Sequence, residues 1–154
     1  MDDGDIDPTL STDYIRNKIR DEFIADATVV VVLIGAKTWQ RKYVDWEIGS
    51  GIRDTRKNSR TGLLGILLPS YDNSGCYDYP VIRFSEDEFP YNYHTIPPRL
   101  YDNVECGFAK IYSWNNIQNL GIWIQEAFDR RFEVAPSNWR DSFKKNSDSN
   151  LPHW

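Results

Sequence analysis

Residues 28–34, TVVVVLI, form seven consecutive positions of almost purely apolar, largely β-branched character, and they stop at Gly35. β-Branched side chains favour a strand, because two heavy atoms on Cβ fit the pleated surface better than the preceding turn of a helix. A strand with no polar alternation needs cover on both faces. That places it in the middle of a parallel sheet rather than in a half-exposed hairpin. Parallel strands need crossovers, so helices must stand above and below. After Gly35 a short polar turn leads into a helical pattern carrying Asp45-Trp46-Glu47. Ligands of open α/β sheets bind just beyond the carboxyl ends of the strands. A carboxylate on the helix that begins there is well placed for chemistry.

The rest of the chain supplies the crossovers. Residues 13–23 read as a helix with Ser11 or Thr12 as N-cap, Asp13 at the positive end, and a stripe of Ile15, Ile19 and Phe23. A second helix spans about 43–54 and buries Val44, Ile48 and Ile52. Residues 62–68, GLLGILL, form a second apolar run closed by Pro69. From 70 to 103 the chain is rich in Tyr, Pro, Asp and Asn and reads as a long irregular loop with one short strand at 81–84, a length that points to function or partner contact. A third strand is expected at 108–112 and a last helix at 114–131, with Ile117, Leu120, Ile124, Ala127 and Phe128 on one face. The order helix, strand, helix, strand, loop, strand, helix defines an α/β domain with a parallel sheet over residues 1–132. Residues 133–154 form a polar C-terminal tail.

Three strands are few for such a sheet. The valine run calls for a neighbour on each side, and only residues 62–68 offer one. An open edge of this composition is an aggregation hazard. The second neighbour comes either from a partner chain or from N-terminal residues that precede this sequence, and the second explanation is favoured.

Composition narrows the function classes. A net charge of −5 argues against a nucleic-acid binder that works by neutralising phosphates. Cys76 and Cys106 stand in no metal-ligand spacing, and His94 and His153 are far apart, so no metal site is expected. No window approaches the roughly 18 apolar residues of a membrane span, and the N-terminus is acidic where a signal peptide is basic. The chain reads as soluble and cytoplasmic.

Several linked motifs resemble one family. TDYIRNKIRDEFI, the strand VVVVLIG, Thr38 with RKYVDWEI, GLLGILLP, IPPRLYDNV and the strand 109–112 together resemble the Thoeris ThsB-type branch of TIR-like domains, over roughly residues 5–130. The resemblance implies a flavodoxin-like TIR fold with parallel strands in the order 2-1-3-4-5. On that template residues 28–34, 62–68 and 108–112 correspond to the third, fourth and fifth strands. The first two strands and the first helix have no counterpart. The resemblance also implies NAD as substrate rather than cofactor: catalytic TIR domains cleave the nicotinamide glycosidic bond with a glutamate in the pattern Trp-Cys-x-x-Glu. The matching residues here are Tyr43-Val44-Asp45-Trp46-Glu47, so Glu47 takes the catalytic position while Tyr43 and Val44 depart from the pattern. ThsB-like members make a cyclic or conjugated ADP-ribose signal for a downstream effector protein during phage infection, and TIR domains self-associate.

Each candidate residue has two readings. Glu47 is the catalytic carboxylate or a solvated helix residue. Asp45 lies on another helical face and is expected to serve the helix start or pair with Arg41. Trp39, Tyr43 and Trp46 line a substrate site or pack. Gly35 and Lys37 flank a ligand or only make the turn. Asp5 and Asp7 fall where the family carries a pocket-gating loop, or belong to an acidic end. His94 reads as a surface-loop residue, and Arg99 as an anchor for the long loop through an acid. Two functions follow: an NAD-consuming enzyme of antiphage defence, or a non-catalytic TIR-like interaction module.

Overall fold

In the computed structural model of the protein, the described residues are 11–72 and 81–147. They form an α/β layer around three parallel strands, β1 (Val29–Ile34), β2 (Gly62–Leu67) and β5 (Ala109–Ser113), in the order β1-β2-β5. The pairing is in register from Val29↔Gly62 to Ile34↔Leu67 and from Leu63↔Ala109 to Leu67↔Ser113. The run expected at residues 28–34 does form a strand, from Val29 to Ile34, but it is not the middle one. β2 is central and buried at all six positions, whereas β1 is an edge strand among the described residues. The apolar run of β1 accordingly stays partly open: Val29, Val30 and Val31 are half-buried and Leu33 is 51% exposed.

Helices α2 (Lys42–Gly51) and α3 (Pro98–Glu105) cover one face, where Val32, Ile34, Ile48, Leu63 and Leu100 share a core. Helix α4 (Leu120–Arg130) covers the other, where Leu64, Ile66 and Ala127 surround Tyr112 stacked on Trp123 at 4.2 Å between centroids. Each fully buried aliphatic side chain contributes about 1.5–3 kcal/mol relative to exposure, so these two layers dominate the stability of the sheet. Gly62 lets α4 approach this closely: a Cβ there would lie 2.4 Å from the Ala127 carbonyl oxygen. Gly62→Ala should therefore push the helix off the strand and cost about 1–3 kcal/mol in denaturant unfolding. Gly121→Ala, with nothing within 4 Å, should be neutral or stabilising by up to about 1 kcal/mol.

Helix α1 (Thr12–Lys18) starts as expected, with the Ser11 hydroxyl accepting the Tyr14 N–H at 3.2 Å. It continues as a π-helical turn, Ile19–Phe23, closed by the Ile24 N–H to the Ile19 carbonyl. The widened turn leaves carbonyls without helical partners. The buried Arg20 guanidinium takes them up, donating to the carbonyls of Ile24, Ala25 and Ala27 and, at 2.6 Å, to Ser59 before β2.

The long irregular stretch holds more structure than its composition suggests. A two-stranded antiparallel hairpin of β3 (Ile82–Phe84) and β4 (Pro90–Asn92) is followed by α3, which opens with a proline at its first position. The hairpin tip covers the outer edge of β5: the Glu86 N–H donates to the Ile111 carbonyl, and Asp87 accepts the Ser113 N–H at 2.9 Å. The expected helix 114–131 divides. Trp114–Asn119 is a 3-10 turn kinked at Asn116, and α4 proper begins at Leu120.

The polar stretch after Val134 lies along α2 and α3 as a strap over residues 135–147. Polar contacts hold it in place of apolar burial. Ser137 N–H donates to Asn103 Oδ1, Arg140 pairs with Asp102 at 2.8 Å, Asn146 Oδ1 accepts the Lys42 N–H, and the Ser147 N–H donates to the Gln40 carbonyl. Among the described residues no helix is long and apolar enough to cross a membrane.

Candidate functional site

The carboxyl end of β1 turns sharply. The Gly35 N–H donates to Thr38 Oγ1 at 2.9 Å, and the same hydroxyl donates to the Leu33 carbonyl at 3.3 Å. Thr38 therefore ties both ends of the turn and uses the amide that a ligand phosphate would otherwise find. The loop after β2 passes close by, since a Cβ on Gly35 would stand 3.2 Å from Ser70 Oγ. Lys37 is exposed on the rim, and the 3-10 turn Thr38–Gln40 buries Trp39 at 4% exposure. Tyr43 is half-buried at the start of α2, with the Lys42 ammonium 4.9 Å from its ring centroid.

From Asp45 to Ile52 every residue of this helical segment is buried except Glu47. Trp46 packs with Ile15 and Ile19 of the α1 segment, meets Tyr43 edge-on at 5.4 Å, and donates its indole N–H to the Phe143 carbonyl at 2.6 Å. Both tryptophans are thus packed inside, while Gly35, Lys37 and Tyr43 remain partly accessible.

Asp45 does not pair with Arg41, which is exposed at the helix start. Its partner is Arg99 of α3, with Nε to Oδ1 at 2.9 Å and the two side chains 0% and 2% exposed. Asp45 Oδ2 also accepts the Phe143 N–H at 2.9 Å. Arg99 reaches Asn138 Oδ1 at 2.8 Å, and Asn138 returns a hydrogen bond to the Gly49 carbonyl. Arg99 does anchor its segment through an acid, but from a helix rather than a loop. A second buried guanidinium, Arg16, lies on the other side of Gly49, where an added Cβ would meet the Nε of both arginines at 3.2 Å. Burial and the neighbouring Arg99 charge, in that order, lower the pKa of Arg16.

Glu47 stands apart from this network. It lies one turn after Tyr43 and one turn before Gly51, the residue that abuts Val30 and Ile24, so its row of α2 overlooks β1. At five residues into α2 it sits about 7.5 Å along the helix from its start. Burial holds its pKa above the ordinary glutamate range, and its carboxylate makes no hydrogen bond to another described residue. A half-buried carboxylate whose pKa is raised by burial is equipped to face a cation. His94 is half-buried in the 3-10 turn Tyr93–Thr95, its ring 4.0 Å from that of Tyr93. Asp5 and Asp7 lie outside the described residues. No group of three or more His, Cys, Asp or Glu side chains able to hold a metal occurs among the described residues.

The supporting residues that the sequence did not single out are Arg16 and Asn138, through their side chains, and Phe143, through its backbone N–H and carbonyl. Arg16 sits on the stripe side of an amphipathic helix, which is its one signal. Asn138 and Phe143 belong to a stretch with no periodicity to read.

Residues 3–73 match the model of a family described as Thoeris protein ThsB, TIR-like domain. The match spans α1, β1, α2 and β2 and includes Glu47. No curated protein and no solved structure matches the chain.

Proposed function

We propose that this chain, whose residues 3–73 match the Thoeris ThsB-type TIR-like family, consumes NAD in prokaryotic antiphage defence, with Glu47 as the catalytic carboxylate. The observation that carries the reading is Glu47 itself: the one incompletely buried residue between Asp45 and Ile52, raised in pKa by burial and unengaged by the hydrogen-bond network beside it. Cleavage of the glycosidic bond sends its electron pair to the nicotinamide ring, which leaves neutral. The ribose remains as an oxocarbenium-like cation. An anion fixed in a partly desolvated site stabilises that charge more than water does, as carboxylates do in glycoside hydrolysis. Capture by water yields ADP-ribose and a proton; capture by a nucleophile of the ADP-ribose itself yields a cyclic product. Such a product is the signal for a separate cytoplasmic effector.

Lys37 and Tyr43 are the accessible candidates to meet the substrate at the rim. The buried Trp39 and Trp46 serve by holding the turn and α2 in place. A second reading, a non-catalytic interaction module, draws support from the edge of β1, which is unpaired among the described residues, and TIR domains generally self-associate.

The test is nicotinamide release from NAD by the whole chain, alone and with lysate of phage-infected cells, with products separated by chromatography. Stoichiometric nicotinamide and an ADP-ribose-derived product are expected. Absence of release under both conditions would replace the enzyme with the interaction module.

A further inference from the structure

The helix that carries Glu47 is capped from outside itself. Its N-cap residue is Arg41, whose guanidinium has no acceptor and makes no cap bond. Asn146 supplies the acceptor instead: its Oδ1 takes the Lys42 N–H, the first amide of α2, at 2.9 Å and across 104 residues of chain. One residue on, the Ser147 N–H donates to the Gln40 carbonyl at 2.8 Å. Further along α2 the Phe143 N–H reaches Asp45 Oδ2, the Phe143 carbonyl accepts the Trp46 indole N–H, and Asn138 donates to the Gly49 carbonyl. Positions 42, 45, 46 and 49 recur at the spacing of one helical face. Glu47 follows the row of Tyr43 and Gly51 on a different face. The strap therefore grips α2 from behind Glu47.

The same strap holds the neighbouring helices. Arg16 of α1 donates to the Arg140 carbonyl at 3.2 Å, and Asp102 and Asn103 of α3 bind Arg140 and Ser137. Yet none of residues 135–147 is buried. A segment held by polar bonds, with little apolar burial of its own, opens at a small fraction of the global unfolding free energy. The Asp45–Arg99 pair does not run through the strap, so the core survives its release.

We propose that residues 137–147 are a detachable clasp that sets where α2 begins, with Asn146 as its decisive contact. On the reading of Glu47 as catalytic, on which this step alone rests, Asn146 is a positioning residue. It fixes the first turn of α2 to the Thr38–Gln40 turn, and Glu47 lies one turn beyond Tyr43. Misplacing a catalytic group by about 1 Å costs on the order of 10²-fold in rate, so fraying of that first turn is felt at the carboxylate without contact between the two.

The experiment follows backbone amide exchange by NMR, and nicotinamide release from NAD, in the whole chain and in Asn146→Ala, Asn146→Asp and Lys144→Ala. In the wild-type chain the amides of Lys42, Phe143 and Ser147 should share one protection factor, at least about 100-fold below that of the β2 amides, as a unit that opens by itself does. In Asn146→Ala that shared value should fall about fivefold, the equivalent of a lost helix cap, and kcat should fall about tenfold. Asn146→Asp keeps the acceptor and adds a charge that the helix start favours, so it should restore both. Lys144→Ala, exposed on the same strap, should change neither. Protection of Lys42 equal to that of β2, or unaltered in Asn146→Ala, would overturn the clasp. Lower protection with unchanged kcat would overturn the positioning role. A wild-type chain that releases no nicotinamide while the exchange pattern holds would remove the NAD reading and leave the clasp established.

Discussion

Replacing Asp45 with asparagine should destabilise the fold by about 3–5 kcal/mol, the range for removing one partner of a buried ion pair. Against a total stability of about 5–15 kcal/mol, that brings the chain near unfolding. The size follows from what is left behind. Arg99 is fully buried, and its guanidinium would face the other buried arginine, Arg16, across Gly49 with no carboxylate between them. Asp45 Oδ2 also accepts the Phe143 N–H, so the same change releases the strap at its contact with Trp46. Urea unfolding should show the lost stability, and limited proteolysis should show earlier cleavage within residues 135–147. Arg99→Met alone should also cost several kcal/mol, since it strands the Asp45 charge. The double variant Asp45→Leu with Arg99→Met should lose clearly less than the sum of the two, because a well-packed apolar pair replaces a buried ion pair at little net cost. Additive losses would show that the pair is not the source of the stability.

The contrast between Asp45 and Glu47 also shows what the sequence made legible. The apolar runs at 28–34 and 62–68 announce their strands, and the turn after Gly35 announces α2, because burial of contiguous apolar residues leaves a local signature. That β1 pairs on one side only among the described residues agrees with the single apolar neighbour the sequence offers it. The place of β1 in the sheet was not legible. A β-branched run looks alike at the centre and at an edge, and the better sign of centrality was Gly62 and Gly65 in β2, where helices on both faces come too close for a Cβ. Helix α3 was hidden because its surroundings are full of Tyr, Asp and Pro, residues that read as loop. The Asp45–Arg99 pair joins positions 54 residues apart, while the sequence-local candidate Arg41 stays exposed. The strap is bound by scattered polar contacts, some through its backbone and some through Asn138, Arg140 and Asn146, which follow no periodicity, so its composition gives no sign of docking.

Glu47→Gln should lower NAD turnover by about 10²–10³-fold in kcat, the loss typical of removing one group that stabilises developing charge in a transition state. Substrate affinity should change little, because glutamine keeps the shape and the charge is needed only as the ribose cation forms. The fold should be indifferent or better off. Burial raises the Glu47 pKa in the folded chain, so the folded state binds that proton more tightly than the unfolded state does. The resulting destabilisation is present above the folded-state pKa and vanishes below the ordinary glutamate pKa. Glu47→Gln should therefore unfold at the same or slightly higher denaturant concentration than wild type at neutral pH, and the difference should close on acidification. The same shift sets the acid limb of wild-type activity. Only ionised Glu47 can stabilise the cation, so turnover should fall as pH drops through a value above the usual glutamate range. A variant that loses turnover without losing stability separates Glu47 from Asp45, whose replacement removes both. Equal turnover in Glu47→Gln and wild type would exclude Glu47 as the catalytic residue.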